Sequence, residues 1–178
     1  MILTSKEEIL ETLTNTNRRV TDWFSALPSS DFFTRQADVW SSSDNLDHLV
    51  KAIKPVTKAM NLPRLALQGM FGKPDKTSRS YDEICRTYRE AIANGAQASG
   101  RYLPNQENPG AKAKEQKKQL IEAWTKASDE LVSVINGWSE SDLDNYQLPH
   151  PILGNLTMRE MLFFTIYHNL RHASQEGD

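Results

Sequence analysis

The sequence predicts an all-α fold, a four-helix bundle with a long crossover between its second and third helices. Apolar residues recur every three or four positions along most of the chain, which is the spacing of amphipathic helices. Serine or threonine stands three residues before glutamate at several candidate helix starts, a capping-box pattern. No segment alternates apolar and polar residues for long enough to indicate a sheet. The chain of 178 residues is expected to form one domain spanning residues 1–178.

The first predicted helix starts at a capping box, either Thr4 with Glu7 or Ser5 with Glu8. It ends before Pro28, since proline cannot donate a backbone hydrogen bond within a helix. A stripe of apolar residues at this spacing faces a hydrophobic core. The stripe consists of Ile9, Leu10, Leu13, Val20, Phe24 and Leu27.

The second predicted helix follows Trp40 and a run of serines, with Ser43 as its N-cap. Pro55 is expected to kink or interrupt this helix, because proline removes one backbone hydrogen bond. Pro63 and Gly69 break the pattern beyond it. The apolar stripe consists of Leu46, Leu49, Val50, Ile53, Val56 and Met60.

The predicted crossover covers residues 64–111. It contains a shorter amphipathic helix that starts at Ser80, with Glu83 three residues later, and then a loop rich in turn-forming residues from Ser99 to Gly110. Four-helix bundles use long crossovers of this kind.

The third and fourth bundle helices lie in the C-terminal half of the chain. The third follows the crossover and is predicted to run to Asn136, with Gly137 ending it. A linker at residues 147–155 leads to a capping box of Thr157 and Glu160, which starts the last helix.

Composition excludes several classes of protein. The 21 basic and 23 acidic residues give a formal net charge of −2, which is not the strong positive field of a nucleic-acid-binding protein. The longest apolar run, residues 161–167, is far shorter than the roughly 20 residues that span a membrane. The N-terminus lacks the pattern of a secretory leader, and the single cysteine, Cys85, cannot form an internal disulfide. We therefore expect a cytoplasmic protein with neither nucleic acid nor membrane as a partner.

Histidine placement is the most distinctive chemical feature of the chain, which has four histidines: His48, His150, His168 and His172. His168 and His172 are four residues apart on the last predicted helix, so both rings can reach one metal ion. They also continue the stripe expected to face the bundle interior. The spacing leaves open the alternative that they are buried histidines held by carbonyls, carboxylates or water.

His48 is the third candidate ligand, although spacing alone leaves its orientation open. At about 100° per residue it lies roughly 140° from the centre of its helix's apolar stripe, and so could face solvent. Its neighbours Asn45 and Ala52 suit the wall of a cleft. Zinc, nickel, iron and copper all accept imidazole, and three such ligands leave a position for water or substrate. Asn169 stands where helical zinc proteases have a glutamate, so that route of peptide hydrolysis is not supported.

Three segments resemble the DinB-like superfamily in content and in order. They are Trp40–Leu49 (WSSSDNLDHL), His150–Thr157 (HPILGNLT) and Phe163–Gln175 (FFTIYHNLRHASQ). Members of that family are four-helix bundles in which one histidine of the second helix and a histidine pair of the last helix bind a divalent metal. The resemblance therefore implies His48, His168 and His172 as metal ligands, with zinc or nickel as the expected ion.

The resemblance also implies a reaction class. Characterised members include transferases and isomerases that use bacillithiol, mycothiol or glutathione, and a bound cation lowers the pKa of a coordinating thiol. The expected function is a metal-dependent transfer of a low-molecular-weight thiol to a small electrophile, with hydrolysis as the other reaction. The alternative is a non-catalytic metal-binding or interaction protein with the same bundle.

The sequence also gives expectations for four other residues and for the oligomeric state. Cys85 lies on an apolar stripe and is interpreted as a packing residue. Asp44 either orients the neighbouring histidine or serves the helix dipole. His150 either approaches the cleft or caps the last helix, and the sequence does not decide between them. Arg159 is interpreted as a surface residue that could meet an anionic substrate. A homodimer is compatible with the sequence, although no helix shows a spare apolar face.

Overall fold

The computed structural model describes residues 3–37 and 39–173 and consists mainly of helices. The four long helices are α1 (Lys6–Ala26), α3 (Ser42–Met60), α6 (Ala113–Asn136) and α8 (Met158–Ala173). The shorter helices are α2 (Ser29–Phe33), α4 (Arg64–Phe71), α5 (Tyr81–Ala93) and α7 (Glu140–Asn145). The remaining elements are the 3-10 turns Gly100–Tyr102 and Gly110–Lys112 and the strands β1 (Gln147–His150) and β2 (Gly154–Thr157).

The four long helices form the bundle. Helix α3 packs against α6 and α8, and α1 packs against the same two helices, so that each helix has two neighbours. Their buried side chains supply the core, which includes Phe24, Leu49, Trp124, Leu131 and Phe163. Helix α5 belongs to the crossover between α3 and α6 and packs on α8. The predicted all-α four-helix bundle and its long crossover are confirmed.

Capping boxes start several helices at the predicted places. Helix α1 uses Ser5 with Glu8, the second of the two predicted boxes, and α5 starts at Ser80. At α8, Thr157 and Glu160 exchange hydrogen bonds between side chain and backbone. Each box satisfies N–H groups that have no partner within the helix.

The structure corrects two details of α3. Its N-cap is Ser41 and not Ser43, because Asp44, three residues after Ser41, completes a capping box with it. Of the two effects expected at Pro55, a kink or an interruption, the interruption is wrong, since the helix continues to Met60. Apolar side chains are buried on both sides of the proline, and this burial offsets the lost hydrogen bond.

A β-hairpin occupies residues 147–157, where the sequence predicted a linker and no sheet. Strands β1 and β2 are antiparallel, with Gln147 opposite Thr157 and His150 opposite Gly154. Each strand has only four residues, which is too short for alternation to be recognised in a sequence. Gly154 has a φ of +72°, a conformation that favours glycine at the turn.

Helix α8 is buried on most of its surface, including its first turn. Arg159 is 7% exposed, which contradicts its interpretation as a surface residue. Its guanidinium binds the carboxylates of Asp144 and Glu140 and the carbonyl of Thr4. A buried guanidinium needs such partners, and these explain its place. Among the described residues, no helix is both long and apolar enough to cross a membrane.

Candidate metal centre

Three histidines from two helices meet between α3 and α8. The ring centroids of His48 and His168 are 4.9 Å apart, those of His48 and His172 4.9 Å, and those of His168 and His172 4.6 Å. One nitrogen from each ring lies within 4.8 Å of the other two. The structure thus brings together all three residues that the sequence singled out, and His48, whose orientation spacing left open, faces inward with 6% exposure.

The crossover explains why His48 is buried although it lies off the apolar stripe of α3. The stripe faces the bundle core, and the side that carries His48 is covered by α8 and by the turn Gly100–Tyr102. Two further contacts hold this loop on α3: Lys51 donates to the carbonyl of Leu103 over 2.8 Å, and the backbone N–H of Asn105 donates to the carboxylate of Asp47 over 2.8 Å.

A backbone carbonyl fixes the tautomer of His48. Nδ1 of His48 lies 2.7 Å from the carbonyl oxygen of Tyr102, which can only accept a hydrogen bond. Nδ1 therefore carries the proton, and the lone pair of the neutral ring is on Nε2. This is the form in which histidine binds a metal through Nε2.

An asparagine fixes the tautomer of His172 in the same way. Nδ1 of His172 lies 2.6 Å from Oδ1 of Asn45. The Asn45 amide nitrogen donates to the carbonyl of Ser41 over 2.9 Å, so its oxygen is the atom that faces the ring. His172 consequently donates from Nδ1 and keeps the lone pair on Nε2.

Burial keeps all three rings neutral. It lowers the pKa of His172 to about 3 and the pKa of His168 well below its ordinary value, and positive neighbours act in the same direction. Burial also lowers the pKa of His48, although its hydrogen bond to Tyr102 opposes the shift. Neutral imidazole is the metal-binding form, so the electrostatics of the cluster favour coordination.

The donor set fits a divalent transition metal. Nε2 of His48 and Nε2 of His168 are 3.0 Å apart. Two nitrogens that share one ion at about 2.0–2.1 Å are expected roughly 3.0–3.4 Å apart. No cysteine or carboxylate from the described residues joins the three rings. Three imidazoles with no acidic ligand suit zinc, nickel and related ions better than magnesium or calcium.

An apolar cleft opens beside the cluster. It measures about 1010 Å³ with its open mouth included, and both His48 and His168 belong to its wall. Its other walls are mostly apolar and include Ala52, Val56, Leu148, Ile152, Met161 and Phe164. No carboxylate is among the described residues that line it, and the exposed Arg101 lies on its border. The cleft suits a small, largely apolar molecule next to the cluster.

The accessory residues have distinct places in the structure. Asp44 forms the capping box of α3 and a two-point ion pair with Arg35, at 2.7 and 2.8 Å, and these contacts favour the helix-start role over the orientation of His48. His150 lines the cleft but is not in the cluster. Cys85 is buried in α5, and burial raises the pKa of its thiol, in agreement with a packing role.

Sequence reasoning missed two residues that shape the cluster. Trp40 stacks on His172 with ring centroids 6.1 Å apart and packs on His48 at 5.0 Å. Trp40 lies just before the helix that carries His48, and this position was the one sequence feature that could have indicated its contact with the cluster. Tyr102 contributes through its backbone carbonyl, which no side-chain pattern can reveal.

Comparison with protein families identifies a match to the DinB superfamily over residues 12–175. Comparison with curated proteins and with solved structures gave no significant match. The family match includes α3, the hairpin and the part of α8 that carries His168 and His172. The chain belongs to the DinB superfamily.

Proposed function

We propose that this protein is a metal-dependent transferase in which the sulfur of a low-molecular-weight thiol forms a bond to a small electrophile and displaces its leaving group. The S–H bond of the thiol breaks, and its proton departs with the leaving group. Its divalent ion, zinc or nickel, is held by His48, His168 and His172. The observation that carries the proposal is the convergence of three neutral imidazoles beside an apolar cleft. Three protein ligands leave a coordination position for a molecule from outside, which is typical of reactive rather than structural zinc sites.

A divalent ion held here supplies Lewis acidity, which lowers the pKa of a coordinating thiol. The chain itself prepares the site for that chemistry. Tyr102 and Asn45 orient two of the three rings through their Nδ1 atoms, so little reorganisation is needed when the ion binds. The apolar walls of the cleft bind the organic part of a substrate and limit access of water, and Arg101 at the border attracts an anionic group.

The lining of the cleft favours thiol transfer over hydrolysis. No carboxylate among its described residues could take a proton from water. A thiol with a pKa of about 8.5 ionises far more readily than water, whose pKa is about 15.7, and so depends less on a side-chain base. The thiol comes from a cofactor, since Cys85 is buried and does not line the cleft.

Metal analysis of matched variants tests the first half of the proposal. The purified chain is loaded with zinc or nickel, dialysed and analysed for metal. We expect one ion per wild-type chain and less than a tenth of that in His172→Ala. His150→Asn serves as the control, because it removes the one histidine outside the cluster, and it is expected to retain the ion. Equal metal content in wild type and His172→Ala would overturn the proposed site.

A conjugation screen tests the second half. The loaded protein is incubated with bacillithiol, mycothiol or glutathione and a panel of small electrophiles, and conjugates are detected by mass spectrometry. We expect turnover with one thiol that disappears in His172→Ala. Stoichiometric metal without turnover of any thiol would instead support the second candidate, a non-catalytic metal-binding protein, which the absence of a carboxylate from the described cleft lining also favours.

A further inference from the structure

His150 lies in the wall of the cleft, one aromatic ring away from the histidine cluster. It is the last residue of β1, and its ring packs on Phe164 with centroids 4.3 Å apart. Phe164 in turn stacks on His168, with centroids 4.9 Å apart. The cluster does not include His150, so its imidazole is available for a different task.

The hairpin turn fixes which nitrogen of His150 carries the proton. The backbone N–H groups of Ile152 and Leu153 both donate to Nδ1, over 3.2 and 3.1 Å. Nδ1 must therefore be the unprotonated acceptor, and the neutral ring carries its hydrogen on Nε2. Burial lowers the pKa of His150 to about 4, which keeps the ring neutral near pH 7.

The Nε2–H group has no hydrogen-bond partner among residues 3–37 and 39–173. One edge of the ring is occupied by the turn, and the residue lines the cleft. The fold thus fixes the orientation of this N–H group in apolar surroundings, but no described residue accepts a hydrogen bond from it. A polar group of this kind is well placed to bind a ligand.

We propose that His150 recognises the small molecule in the cleft by donating a hydrogen bond from Nε2–H to an oxygen acceptor. The ligand class is an apolar molecule that carries a carbonyl or similar oxygen, with its apolar part against Phe164. This inference deepens the proposed function and rests on it, because it assigns an electrophile with an oxygen acceptor to the same cleft. Loss of a single neutral hydrogen bond of this kind reduces affinity by about tenfold.

Two substitutions separate the role of His150 in the turn from its role in the cleft. In His150→Asn, the side-chain oxygen replaces Nδ1 as the acceptor for Ile152 and Leu153, as in an Asx turn, but no donor reaches the position of Nε2. In His150→Gln, the amide nitrogen reaches that position and retains the donor. If His150 served only the turn, His150→Gln would lower ligand affinity more than His150→Asn, because Gln lacks the acceptor that the turn uses. If His150 recognises the ligand, His150→Asn lowers the affinity more, because Asn lacks the donor.

The test compares acetophenone with ethylbenzene, which have similar shapes and differ by one carbonyl oxygen. Their affinities for the full chain are measured by NMR titration, on metal-free and on loaded protein. We expect wild type to prefer acetophenone about tenfold, His150→Asn to lose this preference and His150→Gln to retain most of it. Equal preference in wild type and His150→Asn, or failure of acetophenone to bind wild type, overturns the proposal.

A measurement on wild type alone makes the test independent of variant folding. With ¹⁵N-labelled histidine, the Nε2 resonance of His150 is expected to report a protonated nitrogen and to shift when acetophenone is added. An Nδ1-protonated ring, or a resonance that acetophenone leaves unchanged, contradicts the inference. Metal content is measured separately on the same samples, so failure of the metal site and failure of the His150 role give different results.

Discussion

Asn45 on α3 orients His172 on α8: the ring donates from Nδ1 to the amide oxygen over 2.6 Å. The same helix contributes His48 to the cluster, so α3 supplies one ring and holds another. The geometry of the cluster therefore depends on the packing of α3 against α8. Contacts behind a metal ligand set its orientation and its basicity.

Replacement of Asn45 by alanine should weaken metal binding without removing a ligand. His172 would lose the acceptor that fixes its tautomer, and such losses typically reduce metal affinity by about 10- to 100-fold. We expect the dissociation constant for zinc, measured by competition with a chelating dye, to rise by at least about tenfold. Asn45→Asp is the control, because it keeps an oxygen acceptor for Nδ1. An unchanged constant in Asn45→Ala would show that this contact does not orient the ligand.

Acid should destabilise the metal-free protein in the range set by its buried histidines. On folding, the pKa falls from an ordinary 6.5 to about 3 for His172 and to about 4 for His150. At pH values between the folded and the unfolded pKa, the unfolded chain therefore binds more protons than the folded chain. Stability contributed by these groups is fully present above pH 6.5 and decreases as the pH falls towards the folded values. Urea unfolding is expected to show a decrease on the order of 1 kcal/mol per pH unit for each such histidine.

The carboxylate of Asp44 shows how the pH dependence of an acidic group differs from that of the buried histidines. Burial would raise the pKa of Asp44, but hydrogen bonds from Arg35 and Ser41 outweigh it and lower the pKa below the ordinary 3.8. The stability that Asp44 contributes is therefore present above pH 3.8 and is lost only as the pH falls through the folded value. A free energy of unfolding that stays constant from pH 7 to 4 would contradict the histidine assignment.

The bundle could be predicted from the sequence because long helices repeat their apolar spacing over many turns. Leu49, Ile53 and Met60 on α3 illustrate this, as all three are buried where the stripe predicts. The hairpin could not be predicted, because four-residue strands have too few positions to establish a period of two. Ser41 was missed as the N-cap because several serines in a row compete for that role.

The cluster could be predicted only in part. The spacing of His168 and His172 places them on one face of a helix, but the burial of His48 depends on a loop more than 50 residues away in sequence, through its hydrogen bond to Tyr102. The apolar periodicity of a helix indicates which of its faces packs against the core. It gives no information about a distant loop that covers another face of the same helix. The resemblance in residue order supplied what spacing did not.

Arg159 should be important for stability and not for metal binding. It is buried and joins the start of α8 to Asp144 and Glu140, and removing it leaves both carboxylates without this partner. Because these carboxylates are partly exposed, we expect Arg159→Met to lower the free energy of unfolding by about 2 kcal/mol. Lys118→Met, which removes an exposed ion pair with Glu122, should change it by less than about 0.5 kcal/mol. Both variants should retain one ion per chain, and similar stability losses in the two would contradict this interpretation.

Trp40 should report metal binding by its fluorescence. Its ring lies against His48 and His172, with centroids 5.0 and 6.1 Å away, whereas Trp138 packs on Arg64 and donates to the carbonyl of Met60. Nickel is paramagnetic and quenches nearby indoles, so titration with nickel should quench mainly Trp40. We expect Trp40→Phe to remove more than half of the quenching and Trp138→Phe to leave the quenched amount nearly unchanged. Calorimetric titration of the same variants should show similar nickel affinities, which separates a lost reporter from a lost site. Equal quenching in wild type and Trp40→Phe would place the ion away from the three histidines.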